Sequence, residues 1–346
     1  MLKRFVLLLL PIILFSCVNT SLSVRKGAIP DWVNDVYSVF NRNSFIAATG
    51  YGSSRAIAES NALASLTAFF GQTIEVERTA ISSYQQAVVN GALDYWINTA
   101  EMRTNIKTTI SMDNLMGAEI KEVWFDSKDT FYAVAVIDKA VSVRIYRELL
   151  NANLKLTAEL VNVSSADKNS IDSFRRYMFA GVVADISISY RNILEILDAP
   201  VSETVINGDY YRLEAQKIAK TIPVGIKISN DRNGRVFGAF AKCFIDWGFE
   251  TVVVTPAAAA QTRYILDVSA VLSPVNLPDN PNYFSRIELA ATFTDTKDDS
   301  ILISYTFNSR EGHVSLSEAE NRCFLAAERA INDEFVFLLF ILFSYS

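Results

Sequence analysis

The apolar pattern near the start of the folded chain predicts a strand followed by a helix. Phe45 to Thr49 is a short apolar run that fits a buried strand. Gly50 and Gly52 come next, and they predict a tight turn in which glycine adopts positive φ angles. A helix is then expected from about Ser54 to Phe70. Its apolar positions recur at spacings of four and three, and they are Ala58, Ala62, Leu66 and Phe69.

Further along, the pattern predicts a strand hairpin. Residues 121–125 and 130–137 are strand-like runs joined by the polar turn of residues 126–129. Every residue from Phe131 to Ile137 is apolar or aromatic, so we expect both faces of this strand to be covered. Together with the preceding strand and helix, the hairpin makes a compact α+β unit.

Residues 139–200 change character and predict two helices around a polar break at residues 162–170. The second helix should end before Pro200, because a residue that precedes proline disfavours the helical region. We expect the two helices to form a hairpin that joins two α+β units. The apolar positions of the second helix are Ile171, Phe174, Met178, Ile186, Tyr190, Ile193 and Leu197.

The remaining residues repeat the α+β pattern. A strand at residues 223–229 precedes a helix at residues 235–247, with Gly248 at its C-cap, and a strand follows at residues 251–254. Three alternating strands come next, and a hairpin turn at residues 295–300 joins the last two. Their apolar faces are Tyr264, Leu266, Val268, Ala270 and Leu272; Ile287, Leu289, Ala291 and Phe293; and Ile301, Ile303, Tyr305 and Phe307.

The C-terminal part also contains a proline-containing segment and an apolar tail. Residues 273–285 contain three prolines and predict a long exposed loop. After a helix that starts near Ser315, the apolar tail of residues 335–343 is too short to span a membrane. We expect the tail to be a terminal helix packed on the sheet, and membrane contact is the alternative.

The first sixteen residues have the pattern of a secretory signal peptide. Lys3 and Arg4 precede an apolar run from Phe5 to Phe15, which is about half the length that a membrane-spanning helix needs. Ser16 and Cys17 follow directly. We therefore expect residues 1–16 to be cleaved and residues 17–30 to form a tether.

The sequence Leu14-Phe15-Ser16-Cys17 resembles the bacterial lipobox. In a lipobox the cysteine thiol is acylated with palmitate-type chains, and the cysteine becomes the new N-terminus. The resemblance implies that Cys17 is a lipidation site. Phe15 departs from the pattern, since it is bulkier than the Ala or Ser usual at that position. An ordinary signal peptide with an incidental cysteine is the alternative.

The other two cysteines fit predicted helices. Cys243 shares a helical face with Val236, Phe240 and Trp247, and Cys323 lies in the final helix. Both are expected to pack as small buried hydrophobic residues. An exported chain could also join them in a disulfide, which the sequence leaves open.

Charge and histidine content exclude several classes of function. The formal net charge of −6 becomes −8 once Lys3 and Arg4 are removed, and no basic stripe is present to neutralise the phosphates of a nucleic acid. His313 is the one histidine of the chain, whereas metal sites and most acid–base chemistry use several. We therefore expect no nucleic-acid partner, no metal and no cofactor.

The glycine turn has the outline of a nucleotide-binding loop but lacks its residues. Arg55 occupies the third glycine position of G-x-G-x-x-G, and no G-x-x-x-x-G-K-[ST] run exists. Ser53 or Ser54 is instead expected to cap the helix that follows.

His313 is the other candidate, because it lies beside Arg310 and Glu311 between a predicted strand and a predicted helix. Ser317 with Glu320 fits a capping box at the start of that helix, which favours a structural loop over an active site. Asp298-Asp299 lacks the second acidic cluster of a calcium loop, and the sequence has no G-x-S-x-G elbow.

Pro30-Asp31-Trp32 is followed further along by the run "AATGYGSSRAIAESNALASLTAFFGQTI". With these motifs, residues 30–140 resemble the LPP-20 family of bacterial outer-membrane lipoproteins. Family members have an acylated N-terminal cysteine, a Gly-x-Gly-x-Ser turn and a helix of A-x-x-x-A-x-x-x-L character. The C-terminal half resembles, by element order alone, small α/β domains of periplasmic lipoproteins that assist envelope assembly.

The sequence thus predicts two small α+β domains joined by a helical hairpin. The expected function is that of a non-catalytic, acylated lipoprotein, anchored in the outer membrane, which binds other envelope proteins. The alternatives are a periplasmic enzyme or an apolar-ligand carrier that uses loops near Ser53 or His313. The predicted segments are a signal peptide (1–16), an acylated tether (17–30), an LPP-20-like domain (31–138), a helical connector (139–200) and a C-terminal domain (201–346).

Overall fold

The computed structural model describes residues 24–71, 82, 115–126, 128–229, 231, 234–255, 262–278 and 280–344. These residues form an α+β protein, as the sequence predicts. The chain divides into two compact units: Met1–Phe69 with Gly117–Ala140, and Phe70–Met116 with Val141–Ser346. The helices that the sequence assigned to a connector therefore fall largely within the second unit.

The first unit is a four-stranded sheet with a helix on one face. The strand order is β1-β3-β4-β2, with β1 parallel to β3 and the other neighbours antiparallel. β1 lies inside the segment that the sequence assigned to the tether. The elements are β1 (Val24–Lys26), α1 (Asp31–Asn34), a 3-10 turn (Val36–Ser38), β2 (Phe45–Gly52), α2 (Arg55–Ala68), β3 (Ala118–Phe125) and β4 (Phe131–Asp138).

Strand β4 is buried on both faces, as its apolar sequence predicts. Each residue from Ala133 to Ile137 is at most 1% exposed. Val134 and Val136 pack in a cluster with Trp32 and Trp124. Alternate residues of the same strand, such as Ala133, point to the opposite face, where α2 lies.

The second unit is built on a five-stranded sheet of order β6-β5-β7-β8-β9. β5 is parallel to both β6 and β7, while β7, β8 and β9 form antiparallel pairs. The strands are β5 (Pro223–Ser229), β6 (Glu250–Val253), β7 (Tyr264–Val275), β8 (Tyr283–Asp295) and β9 (Ser300–His313). The helices are α3 (Lys139–Val161), α4 (Ile171–Ile196), α5 (Gly208–Ala219), α6 (Arg235–Ile245), α7 (Leu316–Ala330), a π-helical turn (Ile331–Phe335) and α8 (Val336–Ser344).

Three details of this unit differ from the sequence prediction. Helix α5 was not predicted; Asn207 caps it by accepting a hydrogen bond from the backbone N–H of Asp209. The proline-containing loop is shorter than expected, because β7 continues to Val275 and β8 begins at Tyr283. Ile301 is 65% exposed, since a register shift between Phe293 and Thr294 moves it off the apolar face of β9.

The C-terminal tail forms helix α8 and packs in the core of the second unit, which confirms the prediction. Leu339 and Phe343 are fully buried, and the ring of Phe343 lies 4.8 Å from that of Phe249 and 5.6 Å from that of Phe174. Across the described part of the chain, no helix combines the length and the apolar character that a membrane crossing requires.

Candidate functional site

The predicted lipidation site, Cys17, lies outside the described residues together with the whole signal peptide. Its acylation stays a prediction from the sequence. The first residue after it with a described backbone is Val24 in β1, which pairs with Val123. The structure therefore describes the folded units that follow Cys17.

The two glycines of the nucleotide-like turn are needed for close packing, and the predicted positive φ angles are wrong. Gly50 and Gly52 both lie in β2, and neither has a positive φ. A Cβ atom on Gly50 would lie 2.1 Å from the backbone nitrogen of Ala62 in α2. One on Gly52 would lie 2.4 Å from Cγ2 of Ile57. Glycine at both positions thus lets the helix lie directly against the strand.

The serines of this turn have separate positions. Ser54 is the N-cap of α2, and its side chain accepts a hydrogen bond of 3.3 Å from the backbone N–H of Ile57. Ser53 is exposed. Asn61 donates from Nδ2 to the carbonyl oxygen of Tyr51 at 2.8 Å, which ties the helix to the end of the strand. The polar groups around Ser53 therefore stabilise the strand–helix junction.

His313 is the last residue of β9 and lies opposite Tyr283 of β8, at the strand–helix junction that the sequence predicts. The ring is half-buried, and its Nδ1 is buried without a hydrogen-bond partner in the part of the chain that the structure describes. The neighbouring Glu311 accepts a hydrogen bond of 2.7 Å from Ser309 Oγ. His313 and Glu311 therefore do not form an acid–base pair here.

The predicted capping box at Ser317 and Glu320 is wrong by two residues. Ser315 is the N-cap of α7, and its hydroxyl accepts a hydrogen bond of 3.3 Å from the backbone N–H of Glu318. The sequence around the helix start contains the same serine-to-glutamate spacing twice. The helix begins at Leu316, so the earlier serine, Ser315, occupies the N-cap position.

A groove of about 420 Å³ opens between the end of the β7–β8 hairpin and the start of α7. Its described lining residues offer carboxamides and apolar surface, and none of them is charged. Such a lining can bind a neutral polar group, and the phenol of Tyr283 is the one side chain of the described lining that could transfer a proton. The lining includes Pro274, Asn276, Leu277, Asn280, Tyr283 and Leu316.

Two bidentate charged pairs among the described residues join elements of the fold, and no sequence pattern indicated them. Arg263 binds Asp295 through two parallel hydrogen bonds, Nε to Oδ1 at 2.8 Å and Nη2 to Oδ2 at 2.6 Å, across the β7–β8 pair. Arg235 binds Glu328 in the same bidentate way and joins α6 to α7. No group of three or more His, Cys, Asp or Glu side chains among the described residues could hold a metal ion.

Cys243 and Cys323 are both free and buried, so the packing interpretation is confirmed and the disulfide alternative is wrong. Burial raises the pKa of the Cys243 thiol to about 11, and burial also raises the pKa of Cys323. Cys323 donates a hydrogen bond of 3.2 Å to the carbonyl oxygen of Ser285. Both thiols are thereby held in the unreactive, protonated form.

The sequence matches no family model and no curated protein. Similar solved structures include a secreted protein of Helicobacter pylori, 13% identical, with 84% of this chain and 98% of that chain covered and a TM-score of 0.39. A lipoprotein of Neisseria meningitidis is 12% identical over 32% of this chain and 99% of that chain, with a TM-score of 0.21. A minor lipoprotein of Acinetobacter baumannii is 12% identical over 36% and 94%, with a TM-score of 0.23.

These three neighbours are secreted proteins or lipoproteins of bacteria. Likenesses this weak assign no function to the chain, and the resemblance to the LPP-20 family stays a prediction.

Proposed function

We propose that this chain is an acylated lipoprotein of the bacterial cell envelope, anchored in the outer membrane through Cys17, and that it binds other envelope proteins without catalysis. The observation that carries the proposal is the N-terminal sequence, in which a basic start and an apolar run lead directly to Ser16 and Cys17. A single acyl chain anchors a protein only marginally, but a triacylated cysteine exceeds the two signals that stable attachment needs.

Two observations support other parts of this proposal. One serine of each candidate catalytic loop serves the fold: Ser54 caps α2, and Ser315 caps α7. The tether is also short, because six residues lie between Cys17 and Val24. At roughly 3.3–3.6 Å per extended residue, the chain reaches about 25 Å before the first strand begins. An acylated Cys17 would therefore hold the first unit close to the membrane surface.

The test is metabolic labelling with an alkyne analogue of palmitate. We expect wild type to be labelled and to partition into detergent, and we expect Cys17→Ser to lose both properties. Cys323→Ala is the matched control, since this buried thiol should not affect labelling. Absence of label on wild type would show that the leader is an ordinary signal peptide and would overturn the proposal.

A second experiment addresses the partner. Crosslinking of intact cells, followed by detergent extraction and pull-down of the full chain, should recover envelope proteins with wild type. The Cys17→Ser variant should recover fewer, because it is no longer held at the membrane. Equal recovery with both variants would argue that the anchor has no part in the interaction.

A further inference from the structure

Strand β9 gives the second unit a long open sheet edge. It has 14 residues and stands at the end of the sheet, with no strand on its outer side among the residues described. In an antiparallel pair, about half of the residues direct their peptide groups to the neighbouring strand, and the rest direct theirs outward. The opposite edge strand, β6, has only 4 residues. The sheet is therefore open for pairing mainly along β9.

The central part of β9 lacks the features that usually protect such an edge. Natural edges carry lysine, proline, inward-pointing charges or bulges that prevent another strand from pairing. From Ile303 to Ser309 the strand has no proline and no charged residue. Its register with β8 is regular over this stretch, since the bulge lies before Ile303. These seven residues extend over roughly 23 Å at about 3.3 Å per residue.

The two ends of this stretch carry opposite charges that face solvent. Arg310 follows it and is exposed, on the same strand face as Thr306. Asp298 and Asp299 are exposed in the turn that precedes β9. When two β9 strands lie antiparallel about Tyr305, Arg310 of each copy lies opposite Ser300 of the other and next to its Asp298-Asp299 turn. A two-fold axis makes this contact twice, so the charges favour a second copy of this chain as the occupant.

Other charged groups near these ends also make contacts within the chain: Arg286 lies opposite Arg310 in the β8–β9 register and forms an ion pair of 3.8 Å with Glu288. Glu311 points to the opposite strand face and accepts a hydrogen bond from Ser309 Oγ. Lys297 forms an ion pair of 3.0 Å with Asp167. Neither residue opposes the pairing of Arg310 with the aspartates.

We propose that two copies of the chain associate through their β9 edges, antiparallel about a two-fold axis. The product is one continuous sheet of ten strands, five from each copy. Main-chain hydrogen bonds between the two β9 strands supply the contact, and Arg310 with the aspartate turn fixes its direction.

Cysteine crosslinking of the full-length protein in detergent tests the contact. Ser304, Thr306 and Asn308 are exposed on one face of β9, and each is replaced by cysteine in a separate variant. We expect at least one variant to form a disulfide-linked dimer under mild oxidation. Disulfide formation through the native cysteines should be low because Cys243 and Cys323 are buried. The wild-type protein serves as the control for crosslinking through Cys17.

Ser269→Cys is the matched control for the crosslinking. Ser269, Ala290 and Thr306 form one row across β7, β8 and β9, and Ser269 is exposed two strands in from the edge. We expect it to stay unlinked. If all three β9 variants stay monomeric, for example because another part of the same chain covers the edge, the proposal is wrong.

A charge exchange tests the direction of pairing. Arg310→Glu or Asp298→Arg, each added to the crosslinking variant, should reduce dimer formation at least tenfold, because each places like charges together twice. A mixture of the two variants should restore the dimer, since the introduced glutamate then meets the introduced arginine at one end and the native pair forms at the other. If neither substitution changed the amount of disulfide-linked dimer, the antiparallel arrangement would be wrong.

Thr306→Lys provides a check that does not use cysteine. Lysine at an exposed edge position should leave the fold intact but shift the full chain toward the monomer in sedimentation. Ser269→Lys should have no effect on the distribution. Wild type that sediments as a monomer at micromolar concentration would contradict the proposal.

Discussion

The indole Nε1 of Trp32 donates a hydrogen bond of 3.0 Å to Oε2 of Glu122, a residue of β3 that lies 90 positions further along the chain. Trp32 is 2% exposed and packs with Trp124, Val134 and Val136. The Pro-Asp-Trp sequence at the start of the folded chain therefore closes one face of the first sheet. Its aromatic residue has both an apolar and a polar role there.

Substitution of Trp32 should accordingly destabilise the first unit. We expect Trp32→Ala to lower the free energy of unfolding by about 3–5 kcal/mol, as for other buried aromatic residues. Glu122→Gln keeps an acceptor for the indole N–H and should cost about 1 kcal/mol or less. Urea unfolding followed by circular dichroism measures both. A cost for Glu122→Gln equal to that of Trp32→Ala would show that the charge of Glu122 matters more than the packing of the ring.

A graded series of glycine substitutions tests the packing of α2 against β2. Gly50→Ala should cost at least about 3 kcal/mol, because the new methyl group meets backbone atoms of Asn61 and Ala62 that cannot move independently. Gly52→Ala should cost less, about 1–3 kcal/mol, since rotation of Ile57 relieves the contact with its Cγ2, while the contacts with its Cβ at 2.8 Å and with the backbone nitrogen of Ala58 at 3.0 Å remain.

Gly238→Ala is the control for this series. Gly238 lies inside α6, and a Cβ atom there would meet nothing within 4 Å, so alanine should stabilise the helix by about 1 kcal/mol. The melting temperature should therefore be highest for Gly238→Ala, lower for Gly52→Ala and lowest for Gly50→Ala. The reverse order for the two β2 glycines would contradict the steric explanation.

ATP, GTP or NAD should leave the melting temperature of wild type unchanged, and a clear rise would indicate a phosphate site at this turn.

The strands and helices follow from the sequence because their periodicity is local, and this explains which predictions were confirmed. The hairpin of β3 and β4, the two long helices and the apolar faces of β7 and β8 all repeat within a few residues. The need for glycine at position 50 depends on Ala62, which meets it only after the helix has packed. No short sequence window contains that information.

Irregular features were harder to predict for a related reason. The bulge next to Ile303 shifts the alternation by one residue, so Ile301 is exposed although it continues the apolar pattern. Helix α5 is different, because its buried residues Tyr211, Ala215, Ile218 and Ala219 have regular helical spacing and this local signal was missed. The Arg263–Asp295 pair joins residues 32 positions apart, which meet only once β7 and β8 have paired.

Substitution of the two candidate catalytic residues separates a binding protein from an enzyme. His313→Asn and Ser53→Ala should both leave cellular function intact, measured by complementation of a deletion strain at matched protein level. We expect His313→Asn to change stability by about 1 kcal/mol or less, because the ring is half-buried and its Nδ1 makes no hydrogen bond with the described residues. Loss of function in either variant, with normal abundance and membrane attachment, would favour the enzyme alternative.

Alkaline pH should weaken the second unit through Cys243. Burial raises the pKa of this thiol from its ordinary value of 9.0 to about 11, so the folded state holds its proton at pH values where the unfolded state has lost it. The resulting stability is complete below about pH 9 and is lost as the pH rises toward about 11. The total loss should be about 1–2 kcal/mol, given roughly 1.4 kcal/mol per unit of pKa and incomplete desolvation.

Cys243→Ala measures this contribution. Between about pH 8 and pH 10 the free energy of unfolding should fall less in the variant than in wild type. The comparison stops at about pH 10 because burial also raises the pKa of Tyr264, from 10.0 to about 12. Above pH 10 this second residue also changes the free energy of unfolding. Parallel curves for the two proteins would show that Cys243 does not titrate differently in the folded state.

Two phenylalanines of α8 test whether the apolar tail serves the core or a membrane. Phe343 is fully buried against Phe249 and Phe174, whereas Phe337 is 59% exposed on the same helix. Phe343→Ala should lower the free energy of unfolding by about 3–5 kcal/mol, and Phe337→Ala should change it by no more than about 0.5 kcal/mol. Membrane association, measured by flotation in a Cys17→Ser background, should be the same for both variants. If Phe337→Ala reduced flotation while Phe343→Ala left stability unchanged, the tail would be a membrane contact and its packing role would be wrong.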